Sequence, residues 1–157
     1  MQRLIDTVGL KRTLLQSEID RFLVGKKNHS QAFGLAADVK LRSFAAERGA
    51  TIPSQFAEYD FELPPSQGDF KCSATGNFSV SCAERAHLML RLKAAQPFFY
   101  LLYDIEGLNF THLGQVDGLE VLEAGLLRVS QYKDDTGNFQ YYLPRTDAVK
   151  YLIPSER

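Results

Sequence analysis

Six apolar residues in a row, Phe98-Phe99-Tyr100-Leu101-Leu102-Tyr103, follow Pro97 and make the most apolar stretch of the chain. A strand with one wet face alternates apolar and polar residues, whereas a run apolar at every position has two faces to hide. The run therefore predicts a strand at the centre of a sheet covered on both sides, and a chain built around it must supply covering layers. Asp104 and Glu106 end the run far short of the roughly 20 apolar residues of a membrane span. With 157 residues, 45% of them hydrophobic, such a core needs neither disulfides nor a structural metal.

The covering layers are readable on either side. Leu4, Ile5, Val8, Leu14, Leu15, Ile19, Phe22 and Leu23 recur at three- and four-residue steps and predict an N-terminal helical arm over residues 1–24. Ser30 is the expected cap of a second helix reaching Arg48 and ended by Gly49, with Phe33, Ala36, Ala37, Leu41, Phe44 and Ala45 on one stripe. Short segments follow. Residues 59–63 and 69–73 read as a hairpin around the five-residue breaker Pro64-Pro65-Ser66-Gln67-Gly68, and 78–81 as a further strand. A helix over 83–95, the central strand and a partner strand over 110–116 come next. Residues 126–132 and 138–143 flank Asp134-Asp135-Thr136-Gly137 as a C-terminal hairpin, and Thr146 opens a short helix to Leu152. The expectation is one α/β domain: a mixed central sheet flanked by helices, core 30–116, with the arm and a 117–157 hairpin extension as additions.

The N-terminus meets charge at once and has no apolar signal core, and Cys72 and Cys82 are too few for a disulfide scaffold. Two reduced thiols in a cytoplasmic protein are expected. Net charge is −1, yet residues 1–50 carry nine Lys and Arg against five acids, and the remainder nine against fourteen. That asymmetry permits a phosphate-facing surface near the N-terminal third, as it also permits an ordinary solvated helix face.

Chemistry concentrates on the first hairpin. Alternation puts Asp69 and Lys71 on one face of its second strand and Phe70 and Cys72 on the other, and folding the hairpin back brings Asp60 toward Asp69. Two hard oxygen ligands suit Mg²⁺, which would also take water and a phosphate oxygen, with Lys71 orienting the attacking water. Acid-x-Lys alone is weak, since about one match is expected by chance and Asp38-Val39-Lys40 is a second. A surface hairpin with a cross-strand ion pair explains the same residues, and Asp38 reads equally as a helix-surface acid. Cys72 points toward packing; Cys72, Cys82, His87 and His112 lack zinc-ligand spacing; Ser73 and Ser81 lack a nucleophile elbow.

Helix, turn, Asp60, tight hairpin, Asp69-x-Lys71, helix and buried strand, in that order over Gly34 to Val116, resemble the PD-(D/E)XK nuclease superfamily, most of all its small bacterial and mobile-element members. The opening helix Gly34-Leu35-Ala36-Ala37-Asp38 through Gly49, the strand end Cys72-Ser73-Ala74 and the run from Gln96 to Asp104 share in the resemblance. It departs from the family in having Tyr59 where a Pro would precede Asp60, and in a shorter hairpin. The resemblance implies a restriction-endonuclease-like fold and Mg²⁺-dependent hydrolysis of DNA. Asp60 and Asp69 would hold the metal with the carbonyl of Phe70, Lys71 would position the water, and Asp38 would assist. Lys26, Lys27, Lys40 and Arg42 are the candidate DNA contacts, and Tyr132, Tyr141 and Tyr142 candidate stacking groups. A homodimer through the N-terminal arm would place two sites on two strands. The competing expectation is an inactive module of the same fold that binds nucleic acid or protein, and a third is an unrelated α/β protein.

Overall fold

The computed structural model describes residues 11–23, 28–54 and 57–154. In chain order its elements are β1 (Lys11–Thr13), α1 (Gln16–Asp20), α2 (His29–Glu47), β2 (Phe61–Leu63), β3 (Ser66–Ser73), β4 (Asn77–Val80) and α3 (Cys82–Ala94). Then follow β5 (Phe98–Glu106), β6 (Asn109–Asp117), α4 (Gly118–Glu123), β7 (Arg128–Lys133), β8 (Phe139–Pro144), α5 (Arg145–Ala148) and a 3₁₀ turn, Val149–Tyr151. Five strands form one mixed sheet in the order β1-β6-β5-β3-β2, and three form a second, β4-β8-β7.

The apolar run is the centre of the larger sheet. Residues 98–103 of β5 are buried at every position. Phe99, Leu101 and Tyr103 enter a core with Phe33, Leu41 and Phe44 of α2, while Phe98, Tyr100 and Leu102 enter a second core with Leu88 of α3, Phe78, Val80 and Leu143. On one side β5 runs parallel to β3, Gln67↔Phe98 through Ser73↔Asp104; on the other it is antiparallel to β6. The parallel neighbours are joined through α3, the long connection that parallel pairing requires. Every member of the expected α2 stripe is buried.

Four expectations are corrected. The arm is no continuous helix over 11–23: β1 pairs with β6, and only five residues are helical in α1, because strand pairing with a partner about a hundred residues away overrides local periodicity. Leu14 and Ile19 are fully buried in this chain's own core; the rest of the arm, residues 1–10 and 24, and with it the expected dimer contact, lies outside the described residues. The hairpin turns on Pro64-Pro65 alone, with Ser66 and Gln67 already paired in β3, so it is tighter than a five-residue loop. The C-terminal hairpin is no appendage: β8 pairs with β4, and Leu143 joins the second core. The α2 cap is Asn28 in place of Ser30, its side chain accepting from Gln31 N–H while Gln31 reaches back to Asn28 N–H. α4 was not anticipated. Among the described residues no helix is long and apolar enough to cross a membrane.

Gly68 fixes how closely β2, β3 and β5 approach. A Cβ there would stand 2.4 Å from Phe61 Cζ and 2.6 Å from the Phe99 carbonyl oxygen. The first belongs to a fully buried ring packed on Phe70, and the second is backbone at the sheet centre. Gly68→Ala should cost about 2 kcal/mol, read as a lower urea midpoint at unchanged slope; an unchanged midpoint would mean looser packing around Gly68 than described.

Candidate active site

The hairpin register, Phe61↔Gly68, sets Asp60 opposite Asp69 one step further on. There each acid holds a backbone amide across the hairpin, Asp69 that of Asp60 and Asp60 that of Phe70. Asp60 N–H donates to the Gly68 carbonyl at 2.9 Å and to Asp69 Oδ1 at 3.0 Å, and Phe70 N–H donates to Asp60 Oδ2 at 2.9 Å. Asp60 Oδ1 accepts from Arg42 Nη2 at 2.8 Å. As alternation requires, Asp69 and Lys71 turn toward α3, while Phe70 and Cys72 turn into the core under α2. Lys71 Nζ lies 5.8 Å from the centroid of the Tyr100 ring and pairs with Glu84 Oε2.

Asp38 arrives from α2 one turn before Arg42, around the edge of β3 that β2 leaves uncovered. Together with Lys71, Cys72, Ser79 and Glu84 it lines a cleft of about 490 Å³. Four carboxyl groups, of Asp38, Asp60, Asp69 and Glu84, thus share two cations, Arg42 and Lys71. The imbalance shows in protonation. Burial first, and the Asp60 charge second, push Asp38 up to about 8 against the pull of Arg42. Burial and Asp60 likewise raise Asp69. Burial alone would lower Lys71, but Glu84, Asp69 and Asp60 overcome it and raise its pKa, so Lys71 is an ammonium and a donor.

The sequence reading thus has Asp60, Asp69, Lys71 and Asp38 in one cluster. It missed Glu84. The signal was Ser81-x-x-Glu84 at the start of α3: Ser81 Oγ accepts from Glu84 N–H as a cap, but the Glu84 carboxylate goes to Lys71. Of the candidate DNA contacts, Lys26 and Lys27 lie outside the described residues. Arg42 is engaged by Asp60, and Lys40 stands 3.4 Å from Glu18 of α1, so both are tied within the chain. Tyr132 is 70% exposed, whereas Tyr141 is half-buried with Arg85 over its ring at 4.8 Å.

The minor candidates resolve into structure. Ser73 Oγ accepts from the N–H groups of Thr75, Gly76 and Asn77 and holds the turn into β4. Cys72 and Cys82 are free, and burial raises the Cys72 thiol. His87 faces Glu58 at 3.2 Å, and His112 stacks on Tyr103 with centroids 4.8 Å apart, so no Cys-His set assembles. Among the described residues no three His, Cys, Asp or Glu side chains gather closely enough to hold a metal by themselves. No family model, no curated protein and no solved structure matches the chain.

Because Asp38 and Asp69 keep protons that the unfolded chain releases above about pH 4, their contribution to stability falls as pH rises and levels off only past the folded value of Asp38, about 8. Asp38→Asn should flatten that decline in urea denaturation between about pH 5 and 9. An unchanged slope would remove Asp38 from the cluster.

Proposed function

We propose that the chain is a metal-dependent DNA endonuclease of the PD-(D/E)XK type, hydrolysing phosphodiester bonds at the edge of β3. The observation that carries the reading is the hairpin register, which sets Asp60 across from Asp69 with Lys71 on the Asp69 face. The hairpin β2–β3, the connection through α3 and the parallel strand β5 support it further, being the succession of elements the resemblance implies.

The donor set fits Mg²⁺. Four carboxyl groups against two cations leave two negative charges when all are ionised, and Asp38 relieves that surplus only by staying protonated. A carboxylate oxygen with one hydrogen bond keeps a second lone pair, so the bonds on Asp60 and Asp69 do not bar coordination. Mg²⁺ is commonly held by one or two carboxylates plus waters and substrate phosphate, which suits a site that does not collect three acids. Asp60 and Asp69 would hold it. The carbonyl of Phe70 would add a ligand, because a strand residue's N–H and C=O leave on the same side and its N–H meets Asp60. When bound, the ion polarises the phosphoryl oxygen.

The chain's own groups do the rest. Arg42 fixes the Asp60 carboxylate, and Glu84 keeps Lys71 charged and aimed, so its ammonium can orient the attacking water and offset charge gathering on the phosphate. Asp38 stands by as a proton-holding acid. A binding module of the same fold is favoured by one observation: each strand acid already has a protein partner.

Lys71→Ala and Asp69→Asn should each lower cleavage by about 100-fold or more on a panel of linear, branched and single-stranded DNA with Mg²⁺, with circular dichroism unchanged. Wild-type protein that cuts nothing on that panel, or a Lys71→Ala variant that cuts as well as wild type, sinks the catalytic reading.

A further inference from the structure

A second cleft, of about 320 Å³, opens where the far end of α3 passes the hairpin, with Glu58, Gln67, His87, Leu90, Arg91 and Gln96 in its wall. Arg91 is its unusual member. Only 8% exposed, it lies with its guanidinium carbon 4.3 Å from the centroid of the Phe98 ring. Its Nη2 donates to the Glu58 carbonyl at 3.3 Å and to Gln67 Oε1 at 3.4 Å, both long bonds to neutral acceptors. Among the described residues no carboxylate pairs with it, and its Nε and Nη1 donors have no protein acceptor. The one acid on the wall, Glu58, faces His87 at 3.2 Å. A guanidinium buried this far ordinarily has an anionic partner, because desolvating it otherwise goes uncompensated.

The neighbours are held ready. Gln67 Nε2 is fixed on Glu62 at 3.0 Å and Gln96 Nε2 on the Pro65 carbonyl at 2.6 Å, so neither amide can swing in to satisfy Arg91 further. What remains among the described residues is a buried cation whose Nε and Nη1 donors are unmet, each able to meet a phosphate oxygen.

We propose that this cleft is a phosphate-binding subsite, with Arg91 as its anchor and His87 at its rim. Gln67 precedes Asp69 by two residues on the same strand face, an advance of about 6.6 Å. A nucleic-acid strand crossing the hairpin would then set one phosphate at Arg91 and another at the acid cluster. The backbone as the source of that phosphate rests on the nuclease reading; anion binding at Arg91 does not.

The test is titration of the whole chain with sodium phosphate in EDTA, against sodium chloride at matched ionic strength, following the Arg91 Nε–H resonance by NMR. Phosphate should move that resonance saturably and chloride should not. Arg91→Met, which keeps an apolar stem over Phe98, should abolish the accompanying rise in melting temperature, and His87→Gln should weaken the affinity by several fold. If Arg91→Met does not fold, the wild-type resonance decides alone: no movement, or equal movement with chloride, overturns the subsite. A dinucleotide phosphodiester should move it too, and a response to inorganic phosphate alone would overturn its place on a nucleic-acid backbone. Lys71→Ala should keep the full phosphate response, so loss of hydrolysis and loss of this site are told apart.

Discussion

Parallel pairing of β3 with β5, from Gln67 to Ser73, is the constraint from which the candidate site descends. It buries one edge of β3 along its whole functional length and forces α3 across the sheet. The other edge of β3 is covered by β2 only from Ser66 to Gly68. Beyond Gly68 no strand among the described residues pairs with that edge, and a bare strand edge is one that proteins protect with charge or with neighbouring chain. Here the protection is Asp60, which takes the Phe70 N–H, together with Asp38 and Arg42 from α2. The acids stand together because the sheet stops being paired at that point.

Such a cluster is electrostatically uneasy. Burying Asp38 and Asp69 near a third carboxylate costs stability that a leucine or an asparagine would not, and two cations do not balance four acids. Chains keep local conflicts of this kind where something other than folding favours them, and perturbed carboxyls in a cleft are the usual sign. A simple surface ion pair has no such cost: Lys40 and Glu18 meet at 3.4 Å with both side chains partly open to solvent, and the Leu15 N–H bond, with Lys40, lowers the Glu18 carboxyl.

How much could be read beforehand follows the range of each interaction. The doubly buried β5 was legible because every residue in it obeys one rule, and Asp69 and Lys71 shared a face because alternation is local. Glu84 was not legible as a partner of Lys71: Ser81-x-x-Glu84 spells a helix cap, and only the tertiary position of α3 turns the carboxylate to the strand. Lys40 and Arg42 read as open cations because their acids, Glu18 and Asp60, are about twenty residues away. α4 was hidden by Gly118 at its first position, although Asp117 caps it by accepting from Leu119 and Glu120.

The bond from Phe70 N–H to Asp60 carries one more consequence. In a longer hairpin that amide would meet a carbonyl of β2; here a side chain stands in for the missing length of strand. Asp60 is therefore backbone by office and acid by chemistry, and under the proposed nuclease reading selection for foldability and selection for activity would press on the same two oxygens. Under that reading a descendant that gave up catalysis would still be held to an aspartate at this position, so the persistence of Asp60 would say little about whether a lineage still cuts, while drift at Lys71 would say a great deal.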